Sequence, residues 1–242
     1  MEEVIQINGL HKSFGDKPVL SGIDMTVSKG ENLVLLGKSG EGKSVTLKCI
    51  AGLMQPDGGS VKVFDEEVPE LDEDELKKLR CRIGYLFQGA ALYDSMTVKE
   101  NLVFPLKRVL KMKDKIEIGK RSLEVLAAVG LEDSINKMPA ELSGGMRKRI
   151  ALARTLVVKP EIILYDEPTT GLDAITSKEI SQLILEMQKK FKTTSVIVTH
   201  DIACVRLVAD RVIILSDGKS IAEGKVNELE SSQDKFIRSF FN

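Results

Sequence analysis

Short unbroken apolar runs recur along this chain, separated by longer stretches in which apolar residues return every three or four positions. The runs at residues 33–36, 83–87, 162–165, 195–199 and 212–215 have the length of strands buried on both faces rather than of helices. The runs at 162–165 and 195–199 each follow a long helical stretch, and that alternation predicts parallel strands joined by crossover helices. At residues 4–7 and 23–27 apolar and polar positions alternate instead. Half-buried antiparallel strands are predicted there, with Phe14, Gly15, Asp16, Lys17 and Pro18 supplying turn chemistry between them.

The middle of the chain has a different rhythm. A turn at residues 55–59 and a strand at 60–64 precede an acidic segment, 66–75, that leads into a short solvated helix at 76–80. Between residues 97 and 158 helical spacing dominates: Val98, Leu102, Val103 and Leu106 form one apolar face closed off near Pro105, and residues 116–129 form another, with Gly130 as its cap. This block is a predicted helical insertion into an α/β core. A last turn is predicted at 216–219, followed by an acidic stretch, 223–230, and a tail whose aromatic residues either pack a terminal helix onto the core or dock to a partner.

Composition narrows the class. With 242 residues, 43% hydrophobic and 29% charged, the chain has the makings of a globular protein able to bury one sizeable core. A net charge of −1 argues against a nucleic-acid binder, which carries a basic excess. No apolar run reaches the ~18 residues of a membrane span, and the acidic start Met1-Glu2-Glu3 is unlike a signal peptide, so any membrane role comes through a partner. The three cysteines show no Cys-x-x-Cys spacing and are expected as reduced thiols, with Cys49 and Cys204 in core positions.

The chemistry begins where the run 33–36 ends. Gly37-Lys38-Ser39-Gly40-Glu41-Gly42-Lys43-Ser44 follows at once and opens onto a helix beginning near Val45, the strand, glycine loop and helix order of a phosphate-binding loop. Backbone N–H groups turn inward on an anion, Lys43 reaches the β- and γ-phosphates, and the Ser44 hydroxyl is placed to ligate Mg²⁺. Asp166 and Glu167 stand where the run 162–165 emerges, on the ligand edge of an open α/β sheet. Asp166 is expected to hold Mg²⁺ through water, and Glu167 to face the water that attacks the γ-phosphate. Alone, such a pair would be ordinary solvated acids.

Other strand ends and one helix start add to this. His200 directly follows the run 195–199 and can hydrogen-bond the γ-phosphate and orient Glu167, whereas His11 is assigned a structural role. Gln88, at a fourth strand end, offers an amide that can sense both metal and water. Ser143-Gly144-Gly145 introduces a basic helix at 146–158: either a serine cap before a solvated face or a second anion site. Phe14 is either a core aromatic or a platform for a purine base.

Together these residues resemble the ATP-binding-cassette ATPases over nearly the whole chain. Gly37 to Ser44 is similar to Walker A, 162–166 to Walker B with Glu167 as its acid, Gln88 to the Q-loop and Leu142 to Met146 to the family signature. Leu172-Asp173 is similar to the D-loop, His200 to the switch histidine, and Phe14 falls at the base-stacking aromatic. The resemblance implies a RecA-like P-loop NTPase with a parallel-sheet core, an N-terminal antiparallel β-subdomain and an inserted α-helical subdomain. Residues 1–88 and 159–223 would form the ATP-binding core, 89–158 the helical subdomain and 224–242 the tail. It further implies ATP and Mg²⁺ as ligands, with Lys38, Ser39, Gly40, Glu41, Gly42 and Val45 beside the nucleotide. A head-to-tail dimer follows, in which Ser143, Gly144, Gly145 and Met146 close over the partner's ATP. Two positions depart from the family pattern: Met146 stands where Gln is common, and Glu41 puts an acid in the phosphate loop, where it is expected to point outward.

The run 142–149, with 87–98 and 101–106, resembles the subgroup serving bacterial Mla or MCE-linked lipid-transport systems. That implies a permease dimer and an MCE-type lipid-binding protein as partners, at the cytoplasmic face of the inner membrane. The same engine could drive uptake of amino acids, metals or other small solutes. A soluble cassette protein acting on ribosomes or DNA is disfavoured by the balanced charge and by the lack of a second cassette or a long coiled-coil insertion.

Overall fold

The computed structural model describes residues 2–241; Met1 and Asn242 lie outside them. The chain begins with a long hairpin, β1 (Glu3–Phe14) and β2 (Lys17–Ser28), and then enters the core at β3 (Asn32–Leu36) and α1 (Lys43–Ile50). Next come β4 (Gly58–Val63), the short β5 (Glu66–Glu67), α2 (Glu73–Arg82) and β6 (Ile83–Leu86). The helices α3 (Val98–Arg108), α4 (Lys115–Ala128) and α5 (Gly144–Leu156) follow. β7 (Ile162–Asp166), α6 (Ala174–Phe191), β8 (Thr194–Thr199), α7 (Ile202–Val208) and β9 (Arg211–Ser216) return the chain to the core. β10 (Lys219–Gly224) and two short helices, α8 (Val226–Glu230) and α9 (Lys235–Arg238), end it.

Among the described residues the strands form two sheets. One is antiparallel, in the order β2-β1-β4-β5; the other runs β10-β9-β3-β8-β7-β6, parallel from β9 to β6, with β10 antiparallel at its edge.

The apolar runs are unbroken because both faces of the second sheet are covered. Along β3, Leu33 and Leu35 face a cluster shared with the antiparallel sheet and α1, while Val34 and Leu36 face a cluster shared with the helices. β7, β8 and β9 repeat the division: Ile162, Leu164, Val196, Val198, Ile213 and Leu215 lie on the first side, Ile163, Tyr165, Ile197, Val212 and Ile214 on the second. Strand pleating puts neighbours on opposite faces, so each core strand stitches two apolar layers together.

Three expectations need correction. Pro105 does not end its helix, since α3 continues to Arg108. A proline there forfeits one helical hydrogen bond, but Leu102 and Leu106 on either side are fully buried and hold the last turn against the core. The signature helix starts at Gly144 rather than 146, directly behind its Ser143 cap, whose hydroxyl accepts from the Met146 N–H at 3.2 Å. The turn at 216–219 is followed by a strand the pattern did not predict, β10, an edge strand whose inward positions are small or polar and so carry little hydrophobic signal.

The core strands fall within a residue of where the pattern put them, but the hairpin strands run further, to Phe14 and from Lys17, and the helix expected at 76–80 extends from Glu73 to Arg82. Gly130, at φ 68°, follows α4 as its cap. Cys49 and Cys204 are buried, and burial pushes their thiols up to about 11 and about 12 respectively. In the tail Phe241 is buried and Phe240 packs on the core, whereas Phe236 is half exposed. Replacing Ile163 by Ala, which empties a fully buried site between β7 and the helices, should lower unfolding free energy by about 2–5 kcal/mol, read from the urea midpoint.

Candidate active site

Strand direction decides where polar groups gather. β3, β6, β7 and β8 end at one edge of the parallel sheet, which brings Lys43, Gln88, Glu167 and His200 around a single cleft of about 490 Å³. Lys38, Ser39, Gly40, Gly42, Ser44, Val45 and, from β2, Val19 complete its lining.

The loop leaves β3 and turns into α1 through Gly42 at φ 87°. Any side chain there would be strained, and a Cβ would lie 2.3 Å from Leu20 Cδ2. Among the described residues no side chain caps α1, so its first N–H groups and positive dipole end are left to the cleft. That end suits an anion. Lys43 is 5% exposed and donates to the carbonyls of Gly37 and Lys38 at 2.7 and 2.8 Å, with Glu167 Oε1 3.7 Å away. Burial holds its ammonium below the ordinary lysine range, while the charges of Glu167, Glu41 and Asp166 oppose that shift.

Both oxygens of Asp166 are engaged. Ser44 Oγ donates to Oδ1 at 2.6 Å, and the Tyr85 hydroxyl donates to Oδ2 at 3.1 Å. Burial, reinforced by the Asp166 charge, pushes the Tyr85 phenol well above its usual range, so it stays a donor. Glu167 stands beside Asp166 in a left-handed conformation, φ 50°, which turns its carboxylate back over the cleft. His200 Nδ1 lies 2.9–3.0 Å from its two oxygens, and Thr170 Oγ1 donates to Oε2 at 3.1 Å. A hydroxyl, a carboxylate and a nearby amide are hard oxygen donors that fit a hydrated Mg²⁺ shared with phosphate oxygens. They do not make a self-sufficient metal cage: among the described residues no three or more His, Cys, Asp and Glu side chains are placed to hold one ion together.

The remaining expected residues lie elsewhere. Ser143, Gly144, Gly145, Met146 and Asp173 line a second cleft of about 500 Å³ with Arg149, Gly171 and Thr176, separate from the first. Asp173 caps α6 and accepts from the N–H groups of Ile175 and Thr176. Phe14 is half exposed at the tip of the β1–β2 hairpin and lines neither cleft. Glu41 does point away from the loop, its carboxylate accepting from the Asp217 N–H. Tyr85 and Thr170 escaped the sequence reading. Tyr85 sits inside an apolar strand run, where an aromatic reads as core, and Thr170 reaches Glu167 only through a turn.

The model of the family described as ABC transporter matches residues 20–170, more than half of the chain. The chain belongs to the ABC transporter ATPase family. Members of that family bind ATP with Mg²⁺ and hydrolyse it. Among similar proteins, the probable ribonucleotide transport ATP-binding protein mkl of Mycobacterium tuberculosis is 42% identical over 98% of this chain, which spans 66% of that relative's length. The methionine import ATP-binding protein MetN of Clostridium tetani is 39% identical over 93% of this chain and 70% of its own. A dimeric ATP-binding cassette solved in a post-hydrolysis state with ADP and phosphate superposes with a TM-score of 0.82 at 35% identity, covering 92% of this chain and 98% of that one. The cassette cbiO1 of Clostridium perfringens, part of a transporter complex, gives 0.88 at 31% identity, covering 99% and 94%.

Removing the Tyr85 hydroxyl with Phe should cost about 1–2 kcal/mol of stability, because a bond to a buried carboxylate is lost while the ring stays stacked on Phe87; chemical denaturation reads it.

Proposed function

We propose that this chain is the ATP-hydrolysing subunit of a transporter, working as a head-to-tail pair bound to a permease dimer at the cytoplasmic face of the inner membrane. One observation carries the reading: a cleft holding Lys43, Ser44, Asp166, Glu167 and His200 stands apart from a second one built on Ser143, Gly145 and Asp173. A chain with two such half-sites can complete each only with a second copy.

In this reading Lys43 and the N–H groups of the loop hold the β- and γ-phosphates, and Phe14 stacks on the base. Ser44, Gln88 and Asp166 hold Mg²⁺, which when bound offsets phosphate charge. Glu167 accepts a proton from the attacking water, and His200 keeps its carboxylate aimed while touching the γ-phosphate. ATP held between two copies draws them together; hydrolysis to ADP and loss of the terminal phosphate remove the group both copies would share and let them part. Residues 89–158 form the helical subdomain that meets the permease, and the two core segments hold the nucleotide.

The cargo proposed is phospholipid, with an MCE-type lipid-binding protein as a further partner, on the strength of the resemblance at residues 87–98 and 142–149. A second reading, small-solute import, is favoured by the methionine-importing relative.

Lys43→Ala should reduce ATP turnover about 100-fold or more, and near-normal hydrolysis would refute the loop assignment. Glu167→Gln should stop turnover yet leave an ATP-dependent dimer on size exclusion; rapid hydrolysis by that variant removes Glu167 from its role. Purified from native membranes, the chain should bring a permease with it, and its own ATPase activity in that complex should be stimulated by phospholipid. Stimulation by methionine instead selects the importer reading, and recovery with ribosomes rejects transport.

A further inference from the structure

Lys148 is a buried cation that the proposed reaction leaves unused. It lies about one turn into α5 and is only 6% exposed. Its Nζ donates to the Gln88 carbonyl at 2.5 Å and makes a looser contact with the Glu167 carbonyl at 3.4 Å. Three separate pieces of chain thus meet at one ammonium: the helix behind Ser143, the loop beyond β6, and the residue after β7. Arg154, near the other end of α5, donates to the Ala91 carbonyl at 2.6 Å.

The segment so gripped is under backbone strain, since Ala90 and Ala91 both adopt left-handed conformations, at φ 62° and 50°. One local bond supports that geometry, the Ala90 N–H donating to the Phe87 carbonyl at 3.0 Å, and Ala90 is buried among the apolar side chains of the helices. The cations of α5 add two further anchors, at the carbonyls of Gln88 and Ala91. Burying an ammonium is costly, and the Asp166 and Glu167 charges partly offset this.

We infer that Lys148 is a positioning residue that ties the Ser143 end of α5 to Gln88 and Glu167, so that the signature cleft and the carboxylate edge move as one body. The inference rests on the roles proposed for Gln88 and Glu167. Displacement of α5 as the partner's nucleotide engages Ser143 is thereby passed directly to the metal-facing amide and to the base. Rigid packing alone would tie α5 to the sheet; the ammonium ties it to the two loops that matter.

The test uses the full chain with Mg-ATP. Lys148→Met keeps the length of the stem and removes the donors: kcat should fall about tenfold with KM for ATP within about twofold, because the loop that binds nucleotide is untouched. Lys148→Arg, which keeps charge and donors, should recover kcat to within about threefold of wild type. Amide exchange across residues 87–92 should quicken in the Met variant. Should that variant fail to fold, Arg154→Met offers the same comparison through Ala91. Unchanged kcat, a defect in KM alone, or no recovery with Arg overturns the inference. Unchanged exchange at 87–92 overturns it whatever the ATPase result, and a wild-type chain that does not turn over ATP counts against the proposed function instead.

Discussion

A parallel sheet sealed on both faces has no room for charge except at its ends, and this constraint organises the molecule. Eleven core positions along β3, β7 and β8 alternate between two apolar layers, so the strands cannot carry a polar side chain inward without leaving it unpaired. The chain's chemistry is therefore expelled to the edge where the strands point. Asp166, Glu167, Gln88, His200 and the glycine loop converge there because their strands are parallel and in register, although they are far apart in the chain.

At that edge stability and reactivity are traded residue by residue. Lys43 is buried yet satisfied by its own loop carbonyls, Asp166 has a donor on each oxygen, and Glu167 is held by His200 and Thr170. Such mutual satisfaction offsets part of the desolvation penalty of keeping several charges in a half-buried cleft, although burial still dominates at Lys43. It also fixes directions in advance, so that little reorganisation is needed when a phosphate arrives. The left-handed backbone of Glu167 fits this picture, as strain retained where direction matters.

The second cleft is built by close approach instead of charge. Gly145 packs so near Thr176 that a Cβ would come within 2.7 Å of its methyl, bringing the N-terminus of α5 against the start of α6. In the proposed dimer that packing presents the Ser143 hydroxyl and the neighbouring N–H groups outward, while the same helix holds the Gln88 segment through Lys148 and Arg154. One helix thus serves both half-sites.

The elements with strong local signals were legible from residues alone. Apolar runs of strand length, a glycine loop between strand and helix, and acids at a strand end are written in consecutive positions, so the core strands, the phosphate loop and the candidate carboxylates could be named from spacing. The same holds for Glu41, whose outward direction follows from a loop that uses its backbone on the ligand. What stayed hidden depends on groups that become neighbours only in space. Pro105 continues a helix because Leu102 and Leu106 are buried by distant partners; β10 forms because β9 offers an edge; Tyr85 and Lys148 find the Asp166 and Gln88 regions only after the sheet has assembled. Local chain chemistry determined which groups could act, and tertiary burial decided which of them meet, because long-range contact is set by packing and not by order along the chain.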